Sequence, residues 1–179
     1  MRQGRRLRLS VTGRKWLKVL HLAAAACWIG GAVSLLSLWF LKQGLLDGAV
    51  VHGINRAAHQ VDMVVVVVPG AFGCLFTGLA YSLLTDWGFL RHGWIIAKWV
   101  LTVGAILFGT FYLGPWETAM MDLTGELGSE ALTDAQYIRS QALNFQWGTV
   151  QVGVLLLTVW LSVFKPFRNL QNRKDKRHA

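Results

Sequence analysis

Two stretches of otherwise apolar sequence each carry one group able to do chemistry. KVLHLAAAACWIGG, residues 18–31, holds His21, and GWIIAKWV, residues 93–100, holds Lys98. Imidazole is the commonest nitrogen ligand for haem iron, and an amine withdrawn from water gives up its proton more readily and then offers a lone pair. Together they are a candidate ligand pair for a metal-bearing ring. An ionisable group in hydrocarbon is costly, ~3 kcal/mol for a central Lys on insertion scales, so each one present needs a reason. The alternative reason is structural. Lys98 can reach toward the headgroups along its stem, and His21 can hydrogen-bond a Thr, Ser or Tyr of a neighbouring helix.

The elements that must position them are membrane spans. The chain has 179 residues, 54% of them hydrophobic, with 9 Trp and 9 Phe, more apolar content than a soluble domain of this size carries. Crossing a hydrocarbon core of ~30 Å takes ~20 helical residues, and four runs are long enough, at residues 17–41, 62–84, 94–113 and 145–164. The expected fold is an all-α membrane protein, a four-transmembrane-helix bundle filling residues 17–164 between basic tails at 1–16 and 165–179.

The formal net charge of +9 does not indicate a nucleic-acid partner, because the basic residues flank the runs. Arg2, Arg5, Arg6, Arg8, Arg14 and Lys15 precede the first run, and Lys18 is its second residue. Lys165, Arg168, Arg173, Lys174, Lys176 and Arg177 follow the last. The connection at 42–61 has only Lys42 and Arg56, and that at 114–144 holds Glu117, Asp122, Glu126, Glu130 and Asp134 against one Arg139. The expected topology is therefore N-in/C-in and multi-pass, with the tails drawn to anionic inner-leaflet lipids. The run continues well past the alanines at 23–26, which argues for a retained span over a cleaved signal. Cys27 and Cys74 read as small packing residues.

On this topology His21 and Lys98 lie on parallel helices, each about seven residues before its span's midpoint and so ~10 Å to the cytoplasmic side of centre. They share a depth. His21, Ala25, Trp28, Ala32 and Leu35 form one stripe of the first helix, and Lys98, Thr102, Ala105, Gly109 and Tyr112 one stripe of the third. At similar depth the other helices offer Thr77, Tyr81, Thr158 and Ser162, with Gln151 further out. Trp28 and Tyr81 are accordingly candidate neighbours of a ring held by His21 and Lys98.

Other expectations are less specific. Small residues, among them Gly30, Gly31, Gly70, Gly73, Gly78, Gly104 and Gly109, mark close helix approach. Pro69 predicts a kink in the second helix, and the short turn at 85–93 predicts that the second and third helices are antiparallel neighbours. Trp16, Trp94, Tyr112, Trp116 and Trp160 read as interfacial anchors. The outer connections read as solvated interfacial helices, with Thr133 and Asp134 as caps and His52, Arg56, His59 and Asp62 as a helix-end cluster open to metal or proton binding.

KVLHLAAAACWIGG resembles a pattern of Lys-x-Leu-His, some six residues, then Trp-x-Gly-Gly, which opens several bacterial four-helix families. These are the copper-resistance CopD-like proteins, the HemJ-type protoporphyrinogen oxidases and an uncharacterised integral membrane family known only as a domain of unknown function. Similarity to the last covers residues 18–116, including Asp62, Pro69, Thr77-Gly78 and Gly114-Pro115-Trp116. HemJ-type proteins are similar again at Trp94, Ala97 and Lys98, and there the helix-one His and helix-three Lys are associated with b-type haem. The resemblance thus implies haem b or a related porphyrin between His21 and Lys98, with electron transfer or porphyrin oxidation as its chemistry. After Gly31 the chain reads AVSLLSLWFL and lacks the Pro-Arg-Leu motif and further His of those oxidases, which weighs against oxidase activity. With 4 Met in the whole chain, copper handling would rest largely on Cys27 and Cys74. The competing expectation is a non-catalytic membrane protein, a small transporter or an accessory subunit, self-associating or bound to a larger partner, in which His21, Lys98 and Gln151 are packing or proton-linked groups.

Overall fold

The computed structural model of the chain describes residues 9–84 and 93–166. Most of the basic tails, and the turn expected to join the second and third spans, lie outside the described residues. Helix α1 runs Val11–Leu41, with the Ser10 hydroxyl accepting from the Gly13 amide at 3.1 Å to satisfy one open N-terminal donor. The second rod consists of α2, Gly48–Val61, a run of wide π-helical turns Asp62–Phe72, and α3, Gly73–Leu84. The third consists of α4, Gly93–Phe108, wide turns Gly109–Leu113, and α5, Gly114–Leu127, ending in a 3-10 stretch Gly128–Thr133. Helix α6, Ala135–Phe164, is the fourth. No strand occurs among the described residues.

The chain is all-α, with four helices long and apolar enough to cross a membrane. Only about a fifth of the most apolar stretch of each is buried inside the protein. Val64, Val68, Phe76, Val100, Leu107 and Val163 all face outward, as they do when the surrounding solvent is lipid.

Proline removes an amide donor and crowds the carbonyl four residues back. At Pro69 the helix widens through Asp62–Phe72 and stays continuous, so the expected kink takes the form of a stretch of π turns. Ahead of Pro115 the wide turns Gly109–Leu113 do the same, and the Gly114 amide donates back to the Gly109 carbonyl.

Within the apolar stretches α1 and the second rod approach closely, backbone to backbone. A Cβ on Gly70 would lie 2.8 Å from the Trp28 Cα, one on Gly73 2.9 Å from the Ala24 Cβ, and one on Gly31 2.5 Å from a Val66 methyl. Gly30, Gly78 and Gly104 meet nothing within 4 Å and are not used this way. Helix α6 packs on α1 and on α4. Helices α3 and α4, expected neighbours, do not bring their backbones together over any length among the described residues, and meet instead through side chains such as the Trp99 indole and Ser82 hydroxyl, 3.4 Å apart. The physical reason lies in the glycines, since those of the second rod that pack tightly face α1. Between the helices Ala24, Trp28, Val66, Ala71, Cys74, Ala105 and Leu155 form the core. Trp94 is buried rather than interfacial, while Trp16, Tyr112 and Trp160 are exposed as anchors are.

Beyond the apolar stretches, at the end away from the termini, α2, α5 and the start of α6 fold together over Val51, Met120 and Tyr137. The connections expected to lie as solvated interfacial helices thus continue the spanning rods and form a packed cap. Asp47 caps α2 by accepting from Ala49 and Val50, and Asp134 caps α6 by accepting from Gln136 and Tyr137. Thr133 does not share that role, since its hydroxyl donates to the Glu130 carbonyl. Gly48 sits against Gly128 and Ser129, where a Cβ would fall 2.2 Å from their backbone atoms.

Candidate functional site

His21 lies on α1 two turns before Trp28, and its Nδ1 is 2.7 Å from the Thr77 hydroxyl on α3. That hydroxyl has one proton, and its oxygen is 2.5 Å from the Gly73 carbonyl. Two acceptors cannot share such a distance without a proton between them, so Thr77 donates to its own helix and accepts from His21 Nδ1–H. This assigns the tautomer: Nε2 carries the lone pair. The Tyr81 ring meets the imidazole edge-on, with centroids 6.0 Å apart.

Lys98, on α4, donates to the Ser162 hydroxyl of α6 at 2.7 Å, and Ser162 in turn donates to the Thr158 carbonyl at 2.8 Å. His21 and Lys98 are each paired across helices, so all four spanning rods contribute to a polar layer in the half of the bundle nearer the termini. Trp28 stands apart from it, 3% exposed in the core beneath Gly70. Gln151 approaches Gly109, with its Nε2 3.5 Å from where a Cβ would stand. Cys27 and Cys74 are free thiols.

A second polar site lies under the cap, just beyond the apolar run of each rod that contributes to it. Lys42, 8% exposed, donates to the Asn55 carbonyl oxygen at 3.0 Å and to the Met120 sulfur at 3.5 Å, and lies 5.7 Å from the centre of the Tyr137 ring. The Asn55 amide donates to the Met120 carbonyl and the Thr124 hydroxyl, both at 3.2 Å. Glu117, 6% exposed, approaches His59, with Oε1 3.8 Å from Nδ1. Burial pushes the Lys42 ammonium down to about 8 against the opposing pull of the Glu117 carboxylate. Burial, helped by the Asp62 charge and opposed by Lys42, pushes the Glu117 carboxyl up to about 8.

In the sequence Lys42 and Glu117 read as charges that mark loop topology, and nothing local marks Asn55 as buried. The signal present was an unusual one, a lone Lys and a lone Glu each within a turn or so of the end of an apolar run.

The outer group expected at His52, Arg56, His59 and Asp62 is only partly solvated. His52 Nδ1 contacts the Met121 carbonyl at 3.1 Å and the Thr124 hydroxyl at 3.2 Å, and His59 faces Glu117, so both rings dock on α5, while Arg56 is exposed. No set of three or more His, Cys, Asp or Glu side chains is gathered to hold a metal ion among the described residues.

No curated protein and no solved structure matches the chain. A family model does match, over residues 15–166, which takes in all of the spanning helices but the first turn of α1, and the whole cap. The chain belongs to the DUF2269 family of predicted integral membrane proteins.

Proposed function

We propose that this integral membrane protein holds a b-type haem or related porphyrin within its bundle, in a bacterial inner membrane with both termini cytoplasmic. His21 Nε2 would bind the iron, and Lys98 would be a second ligand or the partner of a propionate. The observation that carries the reading is the Thr77 hydrogen bond, because an imidazole whose Nδ1–H is held by an acceptor presents Nε2 as a base in a fixed orientation. The wider spacing of α1 from α4 than of α1 from the second rod also suits a planar guest between the helices that carry His21 and Lys98. Bound there, the iron porphyrin supplies one-electron chemistry. The chain's own part is to bind and orient the ring, with Tyr81 against the His21 edge, and to exclude water.

Protein purified from haem-replete membranes is expected to show a Soret band that His21→Ala weakens. A colourless preparation that stays colourless on haem titration overturns the proposal. The second reading is a non-catalytic membrane protein or transporter in which both groups only fasten helices, favoured by the cross-helix partner that each already has in Thr77 and Ser162. Under it, His21→Ala lowers stability or transport with no optical change.

A further inference from the structure

At the capped end of the bundle, Trp39, Lys42, Asn55, Glu117 and Asn144 line a cavity of about 30 Å³. A site needs ~10–15 Å³ of such space per water molecule, so about two fit. Two atoms of these lining residues are buried without a hydrogen-bond partner among the described residues, the Trp39 indole Nε1 and the Glu117 Oε1. One is a donor and the other an acceptor, and a buried orphan of either kind costs ~1–3 kcal/mol. Water placed between them would satisfy both, with further partners available in Lys42 and Asn144.

The charged and titratable groups facing Glu117 are Lys42 from the end of α1 and His59 and Asp62 from the second rod. Of these His59 is in ion-pair range of Glu117 Oε1 and has a side chain 32% exposed to solvent. We propose that the cavity holds ordered water and that Glu117 is a proton-uptake site of the chain, reached from the aqueous phase through His59. In the transfer step the His59 imidazolium, its Nδ1 3.8 Å from Glu117 Oε1, gives its proton to a water bridging the two, which passes one of its own to Oε1. Neutral imidazole and neutral carboxyl remain, and bulk water restores the proton to His59. Uptake removes the carboxylate that acts on Lys42, so the state of Glu117 is read out in the contacts of Lys42 with Asn55 and Met120. The site is remote from His21 and independent of whether a ring is bound there.

The chain has three glutamates, Glu117, Glu126 and Glu130, and the last two are exposed. Labelling all three with ¹³C at the side-chain carboxyl, in the full-length protein in lipid nanodiscs, gives two internal references for one buried group. A pH titration followed by NMR is expected to displace the Glu117 midpoint upward of the other two by at least about one unit. Infrared spectra are expected to show a protonated-carboxyl band that Glu117→Gln removes. His59→Ala is expected to slow proton exchange at Glu117 several-fold. Three glutamates titrating together overturn the site, and unchanged exchange in His59→Ala overturns the route. The labelling experiment needs no variant, so it decides the matter even where Glu117→Gln does not fold.

Discussion

The two buried polar regions solve the same problem in different ways. In the bilayer half, His21 and Lys98 each have one cross-helix hydrogen-bond partner among the described residues, and that partner is a hydroxyl which has already donated to a carbonyl of its own helix. Under the cap, Lys42, Asn55, Met120 and Thr124 form a shared network, with Glu117 beside it carrying an unfilled acceptor. The difference follows from solvent. Lipid offers no hydrogen bonds, so each polar group must be satisfied within the bundle, and a Thr or Ser bonded to its own turn supplies a lone pair without requiring one in return. Near the aqueous boundary water can complete what the side chains leave open.

The largest effect should come from the network, because its members share partners. Asn55→Ala removes the oxygen that holds a buried ammonium and is expected to cost about 3 kcal/mol of cap stability, read as faster proteolysis or an earlier denaturation midpoint. A loss no larger than that of a single cross-helix pair would erase the contrast between the regions. Next comes the seam on which the bilayer half depends. Gly70→Ala drives a methyl into the Trp28 backbone and is expected to cost about 2 kcal/mol, whereas Gly78→Ala, with nothing within 4 Å, should be close to neutral.

The same contrast extends to pH. A carboxyl whose midpoint rises on folding contributes stability that is present below its unfolded value and lost as pH climbs through about 8, and Glu117 is such a group. An ammonium whose midpoint falls contributes stability that is present above its unfolded value and lost as pH drops through about 8, and Lys42 is such a group. Cap stability is therefore expected to pass through a minimum near pH 8, with limbs no steeper than ~1.4 kcal/mol per pH unit for one proton each. Thermal unfolding across pH checks it. Glu117→Gln should flatten the acid limb and Lys42→Met the alkaline one.

How much of this was legible in the sequence depended on whether a constraint is local. The four spans were, because a hydrocarbon core demands a long uninterrupted apolar run and little else meets that description. His21 and Lys98 were too, standing out within those runs, and depth alone put Thr77 and Ser162 on the short roster of partners. Which glycines pack was not legible. Gly31, Gly70 and Gly73 differ from Gly30, Gly78 and Gly104 only in helical phase, and the wide turns at Asp62–Phe72 change that phase without leaving a signature beyond Pro69. The cap was not legible either, since the burial of Lys42, Asn55 and Glu117 arises from contacts such as Asn55 with Thr124 that join distant parts of the chain. A charge there reads as loop topology until the partner helix is in place.

The smallest effects test whether hydroxyls act as acceptors in the way the distances imply. Thr77→Val keeps the shape of the side chain and removes the oxygen that takes the His21 proton, and Ser162→Ala does the same to Lys98. Polar pairs between membrane helices are worth ~0.6 kcal/mol on average, so each variant should lose about that much and remain folded. The two changes are nevertheless unequal in what they free. With Thr77 gone, nothing fixes the tautomer of His21, and its two ring nitrogens are expected to exchange roles on the NMR timescale; with Ser162 gone, the imidazole is untouched. Nitrogen shifts of His21 that keep the Nδ1–H form in Thr77→Val would mean another group holds that proton, and the orientation of Nε2 would then owe nothing to the hydroxyl of α3.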